Sequence, residues 1–187
     1  TPVFEVPVGF KYFSQLLFDG AIGIGGEESA GASFLKKDGT VWTTDKDGMI
    51  MALLSMEIMA VMGKSALKMT DEFVEEFGNP SFGRIDAPCK KEQKQILKQM
   101  SAELITATTV DGDPITNIRT TSLYNDMPID GVRVETDKGW FVARPSGTED
   151  LYKIYGESYK GDLGLVALLT AGEEIVNAAL NGTIETE

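Results

Sequence analysis

Three short stretches of this 187-residue chain carry side chains able to hold or protonate a charged ligand. In Arg144-Pro145-Ser146-Gly147-Thr148, a guanidinium fork and two hydroxyls flank a glycine that lets backbone N–H groups turn inward. Those are the ingredients of a phosphate cradle. Pro145 presets one backbone angle and stiffens it. The stretch is not a nucleotide P-loop, because the Gly-x4-Gly-Lys-Ser/Thr spacing and its following helix are missing. A polar hairpin loop accounts for the same residue types, and both readings stand. The second stretch, Gly25-Gly26-Glu27-Glu28-Ser29-Ala30-Gly31, sets a carboxylate and a hydroxyl among small residues that let a ligand approach the backbone. Glu27 and Ser29 together can accept from and donate to sugar hydroxyls. A plain glycine-rich turn fits as well. The dinucleotide fingerprint begun at Gly23 fails at its third glycine position, which is Glu28. Ser29 lacks the preceding glycine and the histidine partner of a nucleophile elbow. The third stretch, Asp45-Lys46-Asp47-Gly48, puts a lysine just ahead of a helix, with Asp47 as its natural cap. Lys46 is a proton donor, a phosphate contact or a solvated turn lysine.

Composition narrows the chemistry. The chain has no histidine, so no Ser-His-Asp or Cys-His machinery and no imidazole shuttle can be built within it. Any general acid or base must be Lys, Asp, Glu or Tyr. A single cysteine, Cys89, excludes an internal disulfide or a Cys-x-x-Cys motif. The balance of 17 Lys+Arg against 29 Asp+Glu, a net charge of -12, opposes non-specific binding to nucleic acid or anionic membrane. A phosphosugar site on such a chain needs a local positive patch, for which Arg144, Lys46, Lys11 and Lys153 are the candidates. No metal site is assigned. Asp111-Gly112-Asp113-Pro114 offers two acids without a third ligand and reads as a turn, and an EF-hand loop with Gly48 at its sixth position would have to start on Thr43, which is no acid. The apolar stretch 49–62 carries Glu57 and falls short of the ~20 residues that span a bilayer. No signal peptide is expected at residues 1–4, and the expected location is the cytoplasm.

The elements that position these stretches follow from periodicity. Residues 3–8 read as a strand, and residues 21–24 as a second one leading into the glycine-rich loop. A helix begins after Asp47, with Ile50, Leu53, Leu54, Ile58, Val61 and Met62 at three- and four-residue steps and Gly63 as its stop. A second helix is expected over 71–77, capped by Thr70. The texture then changes: a strand at 82–87, a helix at 91–100, and strands at 115–124, 132–135, 139–144 and 151–157. Asp137-Lys138-Gly139 forms a hairpin turn, and a closing helix covers 162–180. The expected fold is therefore α/β followed by α+β with an antiparallel sheet. The first unit covers 1–78, a linker or first strand 79–90, and the second unit 91–187.

Taken in order, Val6-Pro7-Val8-Gly9-Phe10-Lys11-Tyr12-Phe13, the Gly25 loop, Thr44-Asp45-Lys46-Asp47-Gly48 and Arg144-Pro145-Ser146-Gly147-Thr148-Glu149 resemble the C-terminal half of an α-D-phosphohexomutase. The resemblance spans essentially the whole chain. It implies the latter part of the family's third, α/β domain, followed by its fourth domain, an α+β fold similar to the TATA-binding protein. It also implies roles. Glu27 and Ser29 would bind sugar hydroxyls, and Arg144, Ser146, Gly147 and Thr148 would grip the phosphate that is not transferred. Lys46 would be the general acid/base. Val8, Gly9 and Lys11 are weaker substrate contacts, since Val8 lacks the hydroxyl that relatives have there.

The implied reaction interconverts glucose 1-phosphate and glucose 6-phosphate. A phosphoserine donates its phosphoryl group, glucose 1,6-bisphosphate forms, and its other phosphate returns to serine. The serine loop of the type Thr-Ala-Ser-His-Asn-Pro and the magnesium loop Asp-Gly-Asp-x-Asp-Arg do not occur in these residues. Mg2+ and the N-terminal domains are therefore expected from the rest of a full-length enzyme, and this chain alone is expected to be inactive. Alternatives are a non-catalytic sugar-phosphate-binding or interaction module, and a mutase for mannose or glucosamine phosphate. A partial third domain is also expected to leave strand edges unpaired and so to favour self-association.

Overall fold

The computed structural model describes residues 3–27, 29 and 31–182. It divides into two compact units, Thr1–Phe77 and Gly78–Glu187. In the first, α1 (Lys11–Phe18) is followed by β1 (Ile24–Glu27), β2 (Gly31–Phe34), α2 (Gly48–Met62) and α3 (Ala66–Phe77). β1 and β2 form an antiparallel hairpin, with Gly26 opposite Ala32. A small core gathers Leu16, Leu17 and Ile22, with Phe4, Val6, Phe13, Leu35 and Val41 packed against it.

Several local expectations are corrected here. Residues 3–8 have no strand structure: Val3 and Val8 are exposed, and no ladder partner lies beside them among the described residues. The second strand starts at Ile24 and takes in Gly25, Gly26 and Glu27, so those residues lie in a hairpin strand rather than in a loop. Glu28 and Ala30 lie outside the described residues. α3 begins at Ala66, not Asp71; Thr70 sits inside it and donates its hydroxyl to the Ala66 carbonyl instead of capping. α2 begins and ends as expected, with the Asp47 side chain accepting from the Met49 and Ile50 N–H groups and Gly63 left-handed at its end. Its three- and four-residue spacing does not mark a buried stripe, however. None of its residues is buried, and Met49 and Val61 are 81% and 77% exposed.

The second unit is built on a six-stranded antiparallel sheet. Its elements are β3 (Ser81–Pro88), α4 (Lys91–Lys98), a 3-10 turn (Ala102–Leu104), β4 (Thr109–Val110), β5 (Asp113–Thr121), β6 (Pro128–Thr136), β7 (Gly139–Pro145), β8 (Leu151–Ser158) and α5 (Gly161–Asn181). The strand order is β3-β8-β7-β6-β5-β4. Alternation along the strands sends Val132, Val134, Phe141, Ala143, Tyr152 and Ile154 to one face. There they meet Leu97 of α4 and Leu168 and Val176 of α5 in one continuous core. α5 is long and apolar enough, by length and composition, to cross a bilayer. Its buried residues Gly164, Leu168, Gly172, Val176 and Ala179 recur at three- to four-residue steps, as in a core helix lying on a sheet. The Asp111-Gly112 turn is a tight hairpin between β4 and β5, with both residues left-handed at φ 51° and 78°. Lys160 Nζ ties it down at 2.8 Å from Asp111 Oδ2 and 3.3 Å from Asp113 Oδ2.

Candidate functional site

In the first unit, Lys46 bends back over the hairpin. Its ammonium donates to Glu27 Oε2 at 2.7 Å and to Ser29 Oγ at 2.9 Å. The turn that carries Lys46 is fastened to β2 and α1. Ser33 Oγ donates to the Thr43 carbonyl at 2.6 Å, the Asp47 N–H donates to the Ala32 carbonyl at 3.0 Å, and Ser14 Oγ donates to the Thr44 carbonyl at 2.7 Å. Gly31 permits this closeness, since a Cβ there would lie 2.9 Å from Lys46 Cβ and 3.3 Å from the Asp47 nitrogen.

Asp47 makes a second clamp. One carboxylate oxygen caps α2, and the other accepts from Trp42 Nε1 at 3.1 Å. The indole N–H, followed by the helix N–H groups, holds this carboxyl below its ordinary range. Trp42 was not legible as a site residue, because the indole and carboxylate meet across an irregular turn that obeys no periodic spacing.

Val8, Gly9 and Lys11 are placed at the start of α1. Val8 is exposed, the Gly9 carbonyl accepts the Tyr12 N–H at 3.1 Å, and Lys11 Nζ lies 5.0 Å from the Tyr12 ring centre. No hydrogen bond or ion pair among the described residues joins these three to Glu27, Ser29 or Lys46.

In the second unit, the loop 146–150 joins β7 to β8. Arg144 stands at the end of β7 on the face away from the core, its guanidinium 5.7 Å from the Tyr155 ring centre. Gly131 gives its backbone room: a Cβ at that position would come within 2.7 Å of Arg144 Cβ. Gly147 and Thr148 are exposed at the bend, whereas Ser146 is buried and engaged. Its N–H donates to the Leu151 carbonyl at 2.9 Å, and its hydroxyl accepts the Glu149 N–H at 3.2 Å and points to Glu149 Oε2 at 3.4 Å. Glu149 also pairs with Lys153 Nζ at 2.7 Å. That ammonium, with Ser146 and Arg84 adding, holds the Glu149 carboxyl below its usual range, and the same pairing raises Lys153. Lys94 of α4 reaches the Glu149 carbonyl and lies 3.1 Å from Asp150 Oδ1. Nothing in the sequence pointed to Lys94, which is 55 residues from the carbonyl it holds.

Each stretch thus offers hydrogen-bonding groups next to a cation: Lys46 with Glu27 and Ser29, and Arg144 and Lys153 around the Ser146 turn. The first set suits hydroxyls that both donate and accept, the second an anion. Among the described residues, no group of three or more Asp, Glu or Cys side chains could hold a metal ion. These residues therefore supply no ligand set for magnesium.

Each of the two units matches a known protein domain. The phosphoglucomutase/phosphomannomutase α/β/α domain III matches residues 1–77, and the C-terminal domain of the same family matches residues 85–164. A phosphoglucomutase of Komagataeibacter xylinus is 48% identical over 174 residues, covering 93% of this chain and 31% of its own length. The chloroplastic phosphoglucomutase of Arabidopsis thaliana is 29% identical over 87% of the chain and 29% of its own length. A probable phosphoglucosamine mutase of Methanococcoides burtonii is 45% identical over 53 residues, 28% of this chain and 12% of its own length. Among solved structures, Paramecium parafusin, a phosphoglucomutase, superposes with a TM-score of 0.64 at 22% identity, over 94% of this chain and 34% of that one. A family protein from Burkholderia thailandensis gives 0.61 at 20% identity, over 96% and 33%. The chain belongs to the phosphoglucomutase/phosphomannomutase family, the α-D-phosphohexomutases, and carries the family's third and fourth domains. It spans about a third of the length of the two phosphoglucomutases and of the two solved chains.

Proposed function

We propose that this chain is the sugar- and phosphate-holding half of a phosphoglucomutase, which interconverts glucose 1-phosphate and glucose 6-phosphate through a phosphoserine and glucose 1,6-bisphosphate. The observation that carries this reading is the convergence of Lys46 on Glu27 and Ser29, residues 19 and 17 positions away in the chain. A carboxylate, a hydroxyl and an ammonium within hydrogen-bond distance can orient a sugar and exchange a proton with one of its hydroxyls. The Lys46 ammonium gives a proton to the sugar oxygen as it leaves the phosphoryl group, and the neutral amine left behind takes the proton of the hydroxyl that attacks in the complementary half-reaction, a role open to lysine in a histidine-free chain. Arg144, Ser146, Gly147 and Thr148 hold the phosphate that stays on the sugar, with Val8, Gly9 and Lys11 as outer contacts. The serine nucleophile and the Mg2+ ligands belong to the N-terminal domains of the full-length enzyme. The similarity to the M. burtonii protein favours glucosamine phosphate as the rival substrate.

The test is a titration of glucose 1,6-bisphosphate into this chain, followed by backbone amide NMR. Shifts at both Gly26, Glu27 and Ser29 and at Ser146–Thr148, with turnover of glucose 1-phosphate appearing once the N-terminal half is added, are the expected result. Binding without turnover in the mixture would leave a non-catalytic module. Absence of shifts at both loops in the folded chain overturns the reading.

A further inference from the structure

The Arg144 loop carries a negative charge of its own. Arg144 and Lys153 stand directly opposite each other on β7 and β8, at one register position and therefore on one face. Like charges placed so repel, and the pair needs a counter-charge. Glu149 supplies it. Its Oε2 lies 2.7 Å from Lys153 Nζ and 3.4 Å from Ser146 Oγ, groups that an arriving anion would also use. Asp86, the other acid near Lys153, is farther away at 3.8 Å and also pairs with Arg84 at 3.0 Å.

The backbone under Glu149 is held in place. Its N–H donates to Ser146 Oγ at 3.2 Å, its carbonyl accepts from Lys94, and the next carbonyl accepts the Cys89 N–H at 2.9 Å. The side chain is 53% exposed, so rotation about its own bonds can carry the carboxylate into water without moving the loop.

We propose that Glu149 is the resident counter-anion of the Arg144 loop, which a phosphate monoester displaces when it binds. This rests on the reading that the loop takes a phosphate. A tethered carboxylate competes at an effective concentration on the order of millimolar. It carries one charge, so a dianionic monoester outcompetes it where a monoanion does not. Glu149 thereby lowers affinity for every anion and sharpens selection for the doubly charged phosphate end of a sugar. It also keeps Lys153 aimed at the loop until the ligand takes it over.

The experiment titrates glucose 1-phosphate, and separately the monoanion nitrate, into the wild-type chain and into Glu149→Gln, Glu149→Ala, Lys153→Met and Arg144→Ala, each checked for an intact amide spectrum. Glu149→Gln and Glu149→Ala are expected to tighten glucose 1-phosphate binding by about tenfold, and nitrate by at least as much. In a Lys153→Met background the gain from Glu149→Gln should shrink to less than about twofold, the sign that the two residues act as a pair. Weaker or unchanged binding in both Glu149 variants, with binding still lost in Arg144→Ala, overturns the counter-anion and leaves the phosphate reading intact. Absence of phosphate binding in every variant overturns both.

Discussion

The two units handle the same kind of residue in opposite ways. α5 is apolar and lays Leu168, Gly172 and Val176 on a six-stranded sheet, where Phe141 and Ile154 have no exposed surface. α2 is more apolar still, on all sides, yet none of its residues is buried, and α3 likewise leaves Leu67, Phe73 and Phe77 in solvent. The difference lies in the layer beneath the helix. An all-round apolar helix belongs in the interior of a layered domain, and the matching family domain is α/β/α in kind. Among the described residues, the first unit offers only the short β1-β2 hairpin. Hydrophobicity thus says that a helix can be core; only a facing sheet makes it so. The candidate site residues escape this contrast, because Lys46 and Ser146 sit on turns fastened by hydrogen bonds, and Glu27 and Arg144 near the ends of paired strands.

The sharpest way to break that contrast is to truncate one apolar residue in each unit. Phe141→Ala should cost about 3–5 kcal/mol in denaturant unfolding of the second unit, while Leu53→Ala on α2 should change stability by less than about 0.5 kcal/mol. Equal losses would show that α2 is packed after all. Next in size is Glu135→Gln on β6. Glu135 holds Arg133 Nε at 2.6 Å and also pairs with Arg119, whose Nε and Nη1 are buried without a partner among the described residues. Stripping its charge should cost about 3 kcal/mol.

That ion-pair cluster also sets a pH dependence. Burial pushes the Glu135 carboxyl up, but Arg133 and Arg119 more than offset this and hold it below the usual carboxylate range. A carboxylate lowered in the folded state adds stability that is fully present above its unfolded pKa. That stability disappears as pH falls through the folded value. The second unit should therefore lose stability on acidification below the ordinary carboxylate range, and Glu135→Gln should flatten that part of the curve. A smaller loss than at Glu135 is expected at the cap of α2 in the first unit. Asp47→Ala removes the cap of α2 and should cost about 1 kcal/mol, raising amide exchange in the first turn of α2 and weakening the Lys46 to Glu27 contact seen by NMR. Unchanged exchange there would show that the hydrogen bonds from Ser14, Ser33 and the Asp47 N–H hold the turn without the cap.

Much of this was legible residue by residue. Asp47 and Gly63 bracket α2 as their types require, and Asp137-Lys138 turns β6 into β7. The motif residues Glu27, Ser29 and Lys46 do meet. What failed were expectations that local sequence underdetermines. Val3 and Val8 are strand formers, but a strand exists only where a neighbour completes its ladder. Thr70 looks like a cap because its hydroxyl competes for backbone groups, yet inside α3 it finds a carbonyl one turn back. Trp42 on Asp47 and Lys94 on the Glu149 carbonyl left no trace in spacing or composition.

By itself, then, the sequence determined both ends of α2, the turns at 111–112 and 137–138, the alternation of the second sheet, the exclusion of histidine chemistry and the family. These rest on interactions a few residues long, or on residue types alone. Only the tertiary structure decided which apolar helix is covered, that Lys46 folds back onto Glu27, and that Glu149 lies between Lys153 and Ser146. Each of those depends on bringing separate elements face to face. No local propensity encodes that geometry, because the chain between the partners is free to close in many ways until packing and hydrogen bonds select one.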